Sequence, residues 1–139
     1  MKKIFCFLVL MITIFSFAAC IGPAETEDIW ANAIYKEDTK LGSGDKNLTV
    51  SVEAKDKTVI FTISTDKKRV GEALLEHKLI SGEKGPYGMY VKVVNGITAD
   101  YDIDQSYWSF NKDGEYMTTG VDLTEFSSGD KFELVYTKD

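Results

Sequence analysis

The chain has 139 residues, 44% of them apolar and 27% charged, with a formal net charge of −6. That length suits one globular domain and is short for two. The acidic balance argues against nucleic acid as a partner and against adhesion to anionic membranes through surface charge.

Residues 1–19 read as a signal peptide. Lys2 and Lys3 give a positive start, an apolar run from Ile4 is broken only by Thr13 and Ser16, and Ala18 and Ala19 close it before Cys20. A retained membrane helix is the alternative, but the run is barely long enough to span and a polar segment follows at once. Phe17-Ala18-Ala19-Cys20 resembles the bacterial lipoprotein box, with Phe17 where Leu is usual. The resemblance implies that Cys20 is lipidated and becomes the mature N-terminus; an ordinary signal-peptidase site with an incidental Cys20 is the other reading. Cysteine arithmetic favours lipidation. Of the two cysteines, Cys6 leaves with the signal, so no intrachain disulfide can form and the fold rests on its core. Two or more acyl chains hold firmly where one does not. The expected location is the extracytoplasmic face of a cell membrane, with the lipid as the membrane contact. Loss of Lys2 and Lys3 takes the formal charge of the remainder from −6 to −8.

Residues 20–46 read as the lipidated N-terminus and a tether, within which Trp30, Ile34 and Tyr35 are apolar enough to pack against the domain. The domain itself is assigned to residues 47–138. "NLTVSVEA" alternates, with Leu48, Val50, Val52 and Ala54 on one face, and "TVIFTIST" repeats the pattern with Val59, Phe61 and Ile63. Joined by Lys55-Asp56-Lys57, they predict a hairpin of half-buried strands. "KRVGEALLEHKLI" changes to helical spacing, with Val70, Ala73, Leu74 and His77 in one stripe and Thr65 or Asp66 as the cap. Gly82 to Pro86 breaks the chain. "YGMYVKVVNG" predicts a third strand ending at Asn95-Gly96, "ITADYDIDQ" a loop, and "KFELVY" the last strand after the Ser128-Gly129-Asp130 turn. One helix must then cover one mixed sheet, since no second layer is evident. The expected fold is α+β, a β-grasp (ubiquitin-like) arrangement; a β-sandwich is the alternative and leaves the helix without a place.

Between the third and last strands lies "YWSFNKDGEYM" (residues 107–117), with four aromatics around Asp113-Gly114. A two-residue turn there opposes Lys112 to Glu115, Asn111 to Tyr116 and Phe110 to Met117. Trp108, Phe110 and Met117 then share the core face, while Tyr107 and Tyr116 take the other, where a phenol can present both ring and hydroxyl. A three-residue loop would shift the register by one and exchange these roles.

The set formed by the helix "GEALLEH", Val94-Asn95-Gly96-Ile97, Tyr107-Trp108, Gly120-Val121 and Gly129-Asp130 resembles the transcobalamin C-terminal domain family over residues 47–137. The resemblance implies a β-grasp fold and, as candidate ligand, a cobalamin-like corrinoid. In the family's cobalamin binders the domain closes over one corrin face together with a large helical domain that these 139 residues do not include.

Other candidates carry less. Asp100, Asp102 and Asp104 are spaced as in a calcium loop, but Gln105 and Asn111 stand where such a loop needs Gly and Glu. A solvated acidic loop is expected, with a weak ion site as the alternative. His77, the only histidine, suits a helix C-terminus. There is no nucleophile elbow, Cys/His metal cluster or phosphate-cradling loop, so neither an enzyme nor a resident metal or cofactor is expected. The functional expectation is a lipid-anchored binding protein for a small ligand, held by Tyr107, Trp108, Phe110 and Tyr116 and handed on to a transporter or other partner. The alternative is a surface protein-interaction or adhesion module anchored through the tyrosines.

Overall fold

The alternation of residues 46–65 folds into a long hairpin, and the rest of the chain is built around it. The computed structural model describes residues 28–139; the signal segment 1–19 and Cys20 lie outside the described residues. In chain order the elements are β1 (Thr39–Leu41), β2 (Lys46–Ala54), β3 (Lys57–Thr65), α1 (Val70–Glu76), β4 (Ile80–Gly85), β5 (Gly88–Val94), β6 (Ile97–Thr98), α2 (Tyr101–Asp104), β7 (Ser106–Lys112), β8 (Glu115–Tyr116) and β9 (Asp130–Lys138). Two 3-10 turns, Ile29–Asn32 and Val121–Leu123, complete the α+β fold.

The larger sheet has the order β1-β3-β2-β9-β7-β8. Leu48 faces Ile63, Val50 faces Phe61 and Val52 faces Val59 across β2 and β3, and all six are buried. β9 lies parallel beside β2, with Val50 opposite Phe132 and Val52 opposite Leu134. A parallel pair needs a crossover, and everything from residue 66 to 129 supplies it. β7 then pairs antiparallel with β9, setting Trp108 opposite Tyr136 and Phe110 opposite Leu134.

The layer over this sheet is more than one helix. A second, antiparallel sheet of order β4-β5-β6 stands beside α1, correcting the expectation of a single sheet under a single helix. Gly82 to Pro86, expected as a break, falls mostly within β4. Its residues from Ser81 to Gly85 are all exposed, so no alternation marks it, and pairing with β5 alone makes it a strand. Asn95 and Gly96 both have positive φ, the two-residue turn that opposes Val94 to Ile97. The expected loop after it thus contains β6 and the one-turn helix α2. α1 is shorter than its apolar stripe. It stops at Glu76, Lys78 turns left-handed, and Leu79 and Ile80 enter the core beyond it. Its cap is neither Thr65 nor Asp66. Arg69 occupies the cap position and donates its backbone N–H to Glu72 Oε1 at 3.1 Å.

Residues 28–45, within the segment assigned from sequence to the tether, pack on this body. Trp30 is 6% exposed and donates Nε1–H to the Ala54 carbonyl at 3.0 Å. Buried Asn95 grips Tyr35 twice, accepting its N–H at Oδ1 (2.9 Å) and donating Nδ2–H to its carbonyl (2.8 Å). β1 extends the sheet parallel to β3. Among the described residues no helix is long and apolar enough to cross a membrane.

Candidate functional site

The aromatic hairpin is set by two residues. Asp113 (φ 50°) and Gly114 (φ 86°) both take the left-handed region, the geometry of a tight hairpin turn. The register is Asn111 opposite Tyr116 and Lys112 opposite Glu115, which excludes the three-residue loop. Parity follows. Trp108 and Phe110 are each 7% exposed, Met117 packs against the core, Tyr107 is half-buried and Tyr116 is 69% exposed. The buried pair is held from behind. Trp108 donates Nε1–H to the Ile97 carbonyl at 3.2 Å and meets Tyr136 edge-on at 5.6 Å, while Phe110 stacks on Phe132 at 5.6 Å.

A second wall faces this hairpin. The β4–β5 turn is latched to the segment after β8: Gly120 donates its N–H to the Tyr87 carbonyl (3.1 Å), and Met89 donates its N–H to Asp122 Oδ1 (2.7 Å). The contact admits no side chain. A Cβ on Gly88, whose φ is +110°, would lie 2.8 Å from Asp122 Oδ1, and one on Gly120 would lie 3.0 Å from the Met89 nitrogen. Between the walls is a cleft of about 380 Å³. Tyr107, Trp108, Phe110 and Tyr116 all line it, with Tyr87, Met89 and Tyr90 from β4–β5 and Met117 to Val121 from the segment after the hairpin. Tyr107 and Tyr116, on the face of the hairpin away from the core, join Trp108 and Phe110 there. No acidic, basic or histidine side chain is among the lining residues. The cleft can therefore offer ring faces, thioethers, hydroxyls and backbone groups, and no formal charge.

The sequence reading missed the second wall. Its signal was "GPYGMY", which places Tyr87 and Tyr90 just after a Gly-Pro turn. Asp122, the latch, had no local signal.

The remaining candidates stand apart. Asp100 caps α2 by accepting the Asp102 N–H at 3.0 Å. Asp104 accepts both the hydroxyl and the N–H of Ser106 and lies 3.8 Å from Lys138 Nζ; the Ser106 hydrogen bond, foremost, holds its carboxyl below the usual aspartate range. Tyr101 donates its hydroxyl to Asp139 Oδ2 at 2.9 Å, which raises its pKa, and its ring lies 6.3 Å from that of Tyr107. Among the described residues no group of three or more His, Cys, Asp or Glu is placed to hold a metal ion. His77 is the C-cap of α1, with Nε2 3.8 Å from Glu76 Oε1.

Residues 68–138 match the model of a family described as a domain of unknown function, DUF4430. The chain belongs to the DUF4430 family. Among solved structures, this DUF4430 protein is similar to a candidate metal-binding protein from Ruminococcus gnavus ATCC 29149, at 38% identity and a TM-score of 0.64, over 68% of this chain and 99% of that one. It is also similar to haptocorrin in complex with Cbi, at 18% identity and a TM-score of 0.56, over 67% of this chain. That likeness is one of fold, and the DUF4430 chain spans only 25% of the haptocorrin chain. No curated protein matches it.

Proposed function

We propose that this chain is a non-catalytic binding protein, anchored through a lipid on Cys20 at the extracytoplasmic face of the membrane, that takes a small ligand in the cleft between the β4–β5 and β7–β8 hairpins. One observation carries the reading: four aromatics flanking a two-residue turn converge with a second tyrosine-bearing hairpin on one cleft of about 380 Å³. Small-ligand sites are clefts of this order, mostly apolar, with a few polar groups. Trp108 and Phe110 form the floor, and Tyr107 and Tyr116 the rim.

The topology supports a β-grasp reading of the transcobalamin C-terminal kind. A hairpin, β2–β3, is followed by α1, and the last strand, β9, returns parallel to β2 at the centre of the sheet. The Cbi complex of haptocorrin makes a corrinoid the first ligand to try. It also reconciles a relative described as a candidate metal-binding protein with a cleft lined, among the described residues, by no charged side chain, because a corrinoid brings its metal already coordinated by its own ring nitrogens. A macrocycle would lie across the aromatic mouth and not enter it whole. Delivery to a transporter or a surface partner would follow.

The test is a titration of the protein with cobalamin and with cobinamide, read by the fluorescence of Trp108 with a Trp30→Phe background to remove the second indole. Saturable quenching at tens of micromolar or below is the expected result. A flat trace with both compounds would remove the corrinoid and leave the cleft to another small ligand.

A further inference from the structure

We propose that the cleft selects a neutral flat ring as the part of the ligand seated between its two hairpins, and discriminates there against carboxylate, phosphate and ammonium groups. This rests on the reading of the cleft as a small-ligand site. Among the described residues, no acidic or basic side chain lines the cleft. Asp122, Glu83, Lys84 and Lys92 border the β4–β5 wall without lining the cleft; Lys84 is exposed, and the other three are engaged. The Asp122 carboxylate is taken up by the Met89 N–H at 2.7 Å, and Lys92 pairs with Glu83 at 3.3 Å. A charged ligand would surrender its hydration here without meeting a counter-charge. For a cation, the attraction of a tyrosine face does not offset that loss when no carboxylate is present. For an anion, the electron-rich ring faces and the acidic protein around them add to the penalty.

The shape of the recognition is also specified. Tyr87 is 79% exposed and Tyr116 69% exposed, one on each hairpin, so their rings stand free at the two sides of the mouth. A flat ring inserted between them gains stacked or edge contacts from both sides. Met89 and Met117 add polarizable sulfur against its edge. The phenol hydroxyls and Thr118 supply neutral polar contacts.

The experiment uses the full chain in lipid nanodiscs, labelled with 5-fluorotryptophan, and follows the two fluorine resonances. Trp108 lines the cleft, whereas Trp30 packs against the Ala54 end of β2 and serves as the internal reference. Three probes share one ring: 2-naphthylmethanol, 2-naphthoate and 2-naphthylmethylammonium. The expected result is a saturable shift of the Trp108 resonance with the alcohol at least about tenfold tighter than with either ion. Tyr116→Ala, at an exposed position, should weaken the alcohol while leaving both resonances at their native positions. Equal or tighter binding of either ion would overturn the selectivity and leave the small-ligand reading intact. No movement of the Trp108 resonance with any of the three would overturn the selection of a flat ring, while the corrinoid titration decides the small-ligand reading separately.

Discussion

At the scale of single residues, two polar side chains do structural work that their neighbours cannot replace. Among the described residues, Asp122 is the only side chain that holds the β4–β5 turn to the segment after β8 through a hydrogen bond, the other link being between backbones. A hydrogen bond to a charged group contributes about 1.5–3 kcal/mol. Asp122→Ala should therefore speed exchange of the Met89 amide by roughly 10- to 100-fold, while Asp122→Asn, which keeps an acceptor oxygen, should change it little. Amide exchange followed by NMR reads both, and unchanged protection in the alanine variant would remove the latch. Asn95 closes a similar clip on Tyr35 with a left-handed backbone that asparagine tolerates better than most residues. Asn95→Ala leaves the part-buried N–H and carbonyl of Tyr35 without this partner and should cost roughly 1 kcal/mol in denaturant unfolding. Asp104 sets a pH dependence. Its folded pKa is depressed, so its contribution to stability is present above the unfolded value of about 3.9 and lost as pH falls through the folded value. Ser106→Ala should move the Asp104 carboxyl titration upward in NMR and flatten the acid limb of the stability profile.

At the scale of elements, what was legible followed from periodicity and turn chemistry. β2, β3 and β9 bury alternate residues, and their sequences show it, whereas β5 buries Val91 and Val94, three residues apart. The parity of β7 was fixed by Asp113-Gly114, because a two-residue turn leaves one register, and with it the burial of Trp108 and Phe110. β4 was illegible for the converse reason. Only Ile80 of its six residues is buried, and Gly82 sits in a bulge where a Cβ would strike the Tyr90 carbonyl, so the strand exists through its partner. The candidate site divided along the same line. The wall on β7–β8 could be read from the sequence, whereas the wall on β4–β5 depends on a sheet that no local pattern announces. Gly71 shows how tightly the covering layer is pressed. A Cβ there would lie 2.8 Å from the Asp122 Cα, backbone that cannot swing aside. Gly71→Ala should lower stability by about 1–3 kcal/mol despite alanine's better helix propensity, measured as a fall in the urea midpoint. A stabilised variant would mean that α1 is free to shift away from the Val121–Leu123 turn.

At the scale of the molecule, strand direction sets the poles. β2 runs from Lys46 to Ala54, and the chain enters beside its end, where Trp30 bonds the Ala54 carbonyl and Lys57 lies over the indole. β9 runs parallel to β2 and β7 antiparallel to β9, so the Asp113-Gly114 turn lies at the other pole, where the Asp113 N–H reaches the Lys131 carbonyl. Nine-residue strands separate the poles by roughly 30 Å. From Cys20 to Asp28 the chain can reach at most about 29 Å. With a lipid on Cys20, the β2–β3 turn would face the bilayer and the aromatic hairpin would point away from it, accessible to a ligand or partner in the aqueous phase. Fluorophores on Asp56→Cys and Asp113→Cys, with quencher-bearing lipids in the vesicle, test this arrangement. The label at 56 should be quenched and the label at 113 should not. Cys20→Ala should abolish the difference by releasing the protein from the vesicle, while the fluorescence response of Trp108 to a bound ligand persists. Equal quenching of both labels on the anchored protein would mean that the domain tumbles on its tether, and the cleft would then have no fixed orientation to the membrane.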